Sequence, residues 1–264
     1  MIDLAQAACD ILRAADPADK VARARTLAAD WRRRHAAFLS PGDPPSRPAR
    51  PERPLLLLPR DMPKRRAGGS AQKRIALLHA LAHIELNAID LAWDIIARFA
   101  TTETPRGFFD DWIKVGEEEA IHFSLLQARL VDLGAHYGDL PAHDGLWQAA
   151  EETAQDLLAR LAIVPLVLEA RGLDVTPATI VDFRRAGDEP SAAILDRIYR
   201  DEIGHVAAGM RWFRHFAEEA GLDAKQAWQE RVRRHFKGTL KPPFNDDARR
   251  DAGFDPEFYR PLSA

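Results

Sequence analysis

The sequence predicts an all-α protein: a four-helix bundle with additional N- and C-terminal helices and a proline-rich linker. Three observations predict it. Apolar residues recur at three- and four-residue spacing almost throughout Ala71 to Phe216, strand-like alternation is missing from that stretch, and proline crowds residues 41–63. The chain has 264 residues, 46 % hydrophobic and 29 % charged, enough for one large domain with a real core or two small ones.

Residues 1–40 read as a helical segment, because Ala, Leu and Arg dominate them. Residues 41–70 read as an extended linker, since proline removes backbone donors and restrains its neighbours. Seven Lys/Arg stand against three Asp/Glu over residues 41–66, which fits a solvated strap around the domain. The bundle is expected over residues 71–220. Its first helix runs from about Ala71 to Ala100, with Leu78, Ala82, Ile89 and Ile96 on the apolar face, and ends at TTETPRG. The second covers about Pro105 to Leu133, with Gly134 as its cap. The third starts after Asp144 and stops at Gly172, bent by Pro165. A short helix follows Thr176, whose hydroxyl caps it, with Pro177 at the first position. The fourth runs from about Pro190 to Ala220. Residues 221–264 supply a short helix over about Asp223 to Phe236 and a mostly irregular tail packed on the bundle.

Composition narrows the function. A net charge of −3 gives no general drive toward nucleic acid or anionic membrane, although a local basic patch stays open. Arg231, Arg233 and Arg234 read as a solvated face. Cys9 is the one cysteine, so no disulfide forms within the chain, and a cytoplasmic location is expected. The N-terminus does not read as a signal peptide, and no stretch approaches about 18 uncharged apolar residues, so no membrane span is expected.

The chemistry lies in a repeated carboxylate pattern. Only two of the nine histidines have a glutamate three residues earlier: His122 after Glu119, and His205 after Glu202. Glu85 precedes the first pair by 34 residues and Glu169 precedes the second by 33. Residues three apart share a helix face, so each Glu-x-x-His can grip one ion. Glu85 and Glu119 lie at nearly equal distances from the turn near residues 101–105, which sets them at one level on antiparallel helices. The flanking residues are apolar, and a buried unpaired carboxylate costs several kcal/mol, so compensation is required. Two divalent ions held by Glu85, Glu119, His122, Glu169, Glu202 and His205 would supply it. Carboxylates with imidazoles suit iron or manganese, or a mixed pair.

This arrangement resembles the ferritin-like di-iron and di-manganese carboxylate proteins. The stretches AHIELNAIDLAWD, EEEAIHF, DEIGHVAAG and LKPPFNDDARRDAGF are similar to a bacterial ferritin-like family of unknown function, over about residues 60–255. A more distant similarity is to the bacterial tRNA methylthio-isopentenyladenosine hydroxylase. The resemblance implies a metal site. The ligand set, with extra helices and a tail that could enclose a pocket, leads to the expectation of two iron ions and an O2-dependent oxidoreductase acting on an organic substrate, with an electron-donor protein and a homodimer left open. Ferroxidase or iron-handling activity, a tRNA-modifying hydroxylase, and a bundle that metals merely staple are the alternatives. In multicomponent monooxygenases the residue before each Glu-x-x-His glutamate is acidic and holds a histidine ligand; Glu118 and Asp201 occupy those places. Tyr199, three residues before Glu202, shares its face. His79 and His83 read more simply as hydrogen-bonding core histidines, with a pocket or proton-shuttle role as the sharper reading.

Overall fold

The computed structural model describes residues 2–33, 37–40, 42–62 and 70–263; the parts of the predicted N-terminal segment and linker at 34–36, 41 and 63–69 lie outside the described residues. Within them helix dominates, and strand is confined to β1 (Ile2–Asp3) and β2 (Ala37–Phe38), a short parallel pair, with two isolated bridges. The chain divides into two compact units, Met1–Trp147 and Gln148–Ala264.

The first unit is built on α3 (Ala71–Phe99) and α4 (Arg106–Asp132), packed along each other. Ser70 caps α3 by accepting from the Lys73 amide. Against α3 lies α1 (Leu4–Leu12), and against α4 lies α2 (Pro17–Arg32), begun by Asp16 as cap and Pro17 at the first position. The described part of the proline-rich linker is irregular apart from a 3-10 turn (Pro59–Asp61), and it is pinned. The Ala49 amide donates to Leu12 O at 2.8 Å, Leu57 to Ala142 O at 2.8 Å, and the Arg98 guanidinium to Pro45 O at 2.9 Å. By length and mean hydropathy α3 alone, among the described residues, would qualify to cross a membrane, a match the sequence reading missed because charges interrupt the apolar run; 72 % of its most apolar window is buried in the protein, as for a core helix.

The second unit corrects the predicted third helix. The stretch after Asp144 divides into α5 (Gly145–Glu152), at the junction of the units, then α6 (Leu157–Ile163), a π-helical turn (Val164–Glu169) and α7 (Ala170–Arg185). Pro165 has no N–H for the ordinary helical bond, and the chain widens into a π turn there. Gly172 stops nothing, and Thr176 and Pro177 lie inside α7 rather than at a new start. A glycine costs a helix only about 1 kcal/mol, less than burying Leu173, Ile180 and Phe183 returns. The stop is Gly187, whose φ of 72° suits the residue beyond a helix end. α8 (Glu189–Glu219) packs along α7, and α9 (Ala224–His235) packs on α6. The tail is more regular than predicted: Asn245 caps α10 (Asp246–Asp251), and α11 (Pro256–Tyr259) follows.

Candidate metal centre

In the first unit, α3 supplies Glu85 and one face of α4 supplies Glu119 and His122. His122 Nδ1 lies 3.3 Å from Glu85 Oε2 and 3.3 Å from Glu119 Oε2. One ligand atom from each of the three falls within 4.8 Å of the others. Glu85 is 3 % exposed, and Glu119 and His122 are fully buried. The helices approach closely here: a Cβ on Gly116, one turn before Glu119, would meet Trp93 Nε1 at 2.7 Å. Burial, and then the Glu119 carboxylate beside it, push the Glu85 carboxyl up to about 8, against the relief that His122 provides. Two buried carboxylates and an imidazole are thus gathered in one place, and this buried Glu/His cluster could hold a metal ion.

In the second unit, α8 carries Glu202 and His205, with His205 Nδ1 3.7 Å from Glu202 Oε2. His205 is fully buried and the Glu202 side chain is 13 % exposed. Glu169 closes the π turn, which packs on α8 where a Cβ on Gly209 would lie 2.5 Å from Pro165 Cβ. The structure therefore brings Glu85, Glu119 and His122 together, brings Glu202 and His205 together, and places half-buried Glu169 on the turn packed against their helix.

The neighbouring acids take partners on their own helices: Glu118 Oε2 accepts from Lys114 Nζ at 2.6 Å, and Asp201 lies 3.6 Å from Arg197. The Tyr199 hydroxyl accepts from Asn245 Nδ2 at 2.9 Å. His79 Nε2 accepts from the Gly138 amide at 2.9 Å. Burial, with Arg50 nearby, lowers the His83 imidazole to about 4. The neutral ring is assigned the tautomer in which Nε2 donates to His143 O at 3.2 Å, and Nδ1 then accepts from the Tyr137 hydroxyl at 2.9 Å. Both histidines thus make buried hydrogen bonds, as their plainer reading expects.

Sequence reasoning missed the polar network beside these histidines. Asp90 binds Lys20 Nζ and, at 2.7 Å, Arg50 Nη1. Arg50 Nη2 also donates to Asn87 Oδ1 at 2.6 Å. The signal was present: His79, His83, Asn87, Asp90 and Asp94 recur at three- and four-residue spacing as a second, polar stripe on α3.

Comparison with known proteins adds no activity. Residues 13–260 match the family described as "Protein of unknown function (DUF455)". An uncharacterized protein of Haemophilus influenzae is 45 % identical over 209 residues, covering 77 % of this chain and 72 % of that one. No solved structure gives a significant match.

Proposed function

We propose, for a chain that belongs to the DUF455 family, a ferritin-like di-metal carboxylate protein acting as an O2-dependent oxidoreductase on an organic substrate. Glu85, Glu119, His122, Glu169, Glu202 and His205 are the proposed ligands of two iron or manganese ions. The observation that carries this reading is the buried Glu85, Glu119 and His122 cluster, which gathers two carboxylates and an imidazole with donor atoms within reach of one ion. The donors are oxygen and imidazole nitrogen without thiolate, a set that fits iron and manganese. Such ions, when bound, supply one-electron redox chemistry toward O2.

The chain's own residues prepare the site. Burial and the neighbouring Glu119 carboxylate favour the protonated form of Glu85, and a bound cation would take that proton's place. The imidazoles of His122 and His205 are fully buried, which keeps bulk water from these donors. Glu118 and Asp201, each next to a proposed ligand, and Tyr199, on the Glu202 face, are proposed to tune the ligands from outside.

The test is elemental analysis of wild type and Glu119→Ala after anaerobic loading with ferrous or manganous ion. About two ions per chain are expected for wild type, with loss in the variant, and the reduced, loaded protein should consume O2. A wild type that takes up no metal overturns the reading. Metal without O2 uptake removes the oxidoreductase half of it and leaves the ions as staples of the fold.

A further inference from the structure

The C-terminal stretch LKPPFNDDARRDAGF does nothing in the metal reading, yet it makes several buried and part-buried polar contacts with α7 and α8. Asn245 Nδ2 donates to Leu173 O on α7 at 3.1 Å and to the Tyr199 hydroxyl on α8 at 2.9 Å. The Asn245 amide donates to Asp174 Oδ1 at 2.9 Å. Arg249 Nε and Nη2 grip the same Asp174 carboxylate at 2.9 and 2.8 Å, and Nη2 reaches Ala170 O at 3.3 Å. The Arg249 side chain is 5 % exposed and the Asp174 side chain is fully buried. The guanidinium lies 4.4 Å from the centre of the Tyr259 ring. Arg171 Nη1 donates back to Lys241 O at 2.7 Å.

The positions of these contacts matter. Leu173 lies four residues after Glu169, and Tyr199 lies three residues before Glu202. Helical residues at those spacings share a face. Asn245 therefore ties α7 to α8 about one turn from each carboxylate, through the Leu173 carbonyl and the Tyr199 hydroxyl. Arg249 fixes α7 where it leaves the π turn, by holding the carbonyl of Ala170, the residue after Glu169. A π turn is a rare local widening of a helix, frequent at functional sites.

We infer that Asn245 and Arg249 are positioning residues for the metal ligands of this unit: the tail clamps α7 and α8 so that Glu169 and Glu202 are held at a fixed separation. The inference rests on the metal reading proposed above. It gives the tail a function that surface packing alone would not.

The test uses the full-length protein as wild type, Asn245→Ala and Tyr199→Phe, loaded anaerobically with ferrous ion. Affinity is measured by chelator competition, and melting temperature with and without the ion. Both variants are expected to lose about tenfold or more in iron affinity, in the range outer-layer changes cause at metal sites. The rise in melting temperature on loading should shrink, while the metal-free melting temperature moves by only a few degrees. A purely structural role would instead lower the metal-free and loaded melting temperatures together and leave affinity alone, and that result overturns the clamp. Wild-type affinity in both variants also overturns it, with the metal reading intact. Failure of the wild type to take up iron overturns both. Should Asn245→Ala not fold, Tyr199→Phe, which removes one hydroxyl, decides alone.

Discussion

The same substitution at two glycines of the second unit should act with opposite sign. Gly209 lies in α8, four residues after His205, and its missing side chain lets the helix approach the π turn. An ideal Cβ there would sit 2.5 Å from Pro165 Cβ, 2.6 Å from Pro165 Cγ and 3.6 Å from Leu166 Cδ2. Carbon atoms rest at about 3.5–4.0 Å, so the new methyl overlaps a rigid ring by about 1 Å. Overpacking of this kind costs about 1–3 kcal/mol. Alanine returns about 1 kcal/mol through helix propensity, so Gly209→Ala should lose about 1 kcal/mol net. Gly172 lies inside α7 with nothing within 4 Å of an added Cβ, and its φ is not positive. Gly172→Ala therefore keeps the propensity gain of about 0.5–1 kcal/mol. Thermal melts of the metal-free protein should place Gly209→Ala a few degrees below wild type and Gly172→Ala a few degrees above it. Because Glu169 ends the displaced turn, Gly209→Ala should also show a smaller rise on metal loading. A Gly209→Ala protein that melts at or above the wild-type temperature would falsify the claim that Pro165 and α8 are in tight contact.

Two further outcomes follow from the first unit. Glu85 has its carboxyl raised from 4.5 to about 8. A raised carboxyl contributes stability fully present below the unfolded value, and that contribution is lost as pH rises through the folded one. The metal-free protein should therefore become less stable on this account between pH 4.5 and 8. A bound cation replaces the proton, so the rise in melting temperature on loading should grow across that window; a rise that is flat or falls with pH would contradict the assignment of Glu85. Asp90, fully buried between Lys20 and Arg50, should be expensive to remove: Asp90→Ala leaves two cations without their shared anion and should cost about 3–5 kcal/mol in urea melts. A loss under 1 kcal/mol would show that water reaches this triad.

What the sequence disclosed and what it hid differ in physical kind. The helices carrying Glu85, Glu119, His122, Glu202 and His205 were legible to within a residue or two, because each is long, amphipathic and bounded by a turn or cap. The Glu-x-x-His spacing survives into the structure as paired side chains, since i and i+3 are neighbours on any helix. The segment around Glu169 was misread because local signals there oppose tertiary packing. Gly172 and Pro177 each speak for a break, and α7 overrides both by burying Leu173, Ile180 and Phe183, while the widening at Pro165 keeps the chain helical rather than merely bending it. The network of Lys20, Arg50 and Asp90 joins residues 70 and 40 positions apart in the chain, and no local rule relates them. One member of that network, Asp90, was nonetheless visible. A helix with one apolar face needs only one stripe, and α3 carries a second, of His79, His83, Asn87, Asp90 and Asp94, that propensity and amphipathicity leave unexplained. Burial of such a stripe demands partners from elsewhere in the chain, and Arg50 is the linker residue that meets the demand. The arginine content of the linker was thus more than solvation: one of its cations holds the helix that carries Glu85.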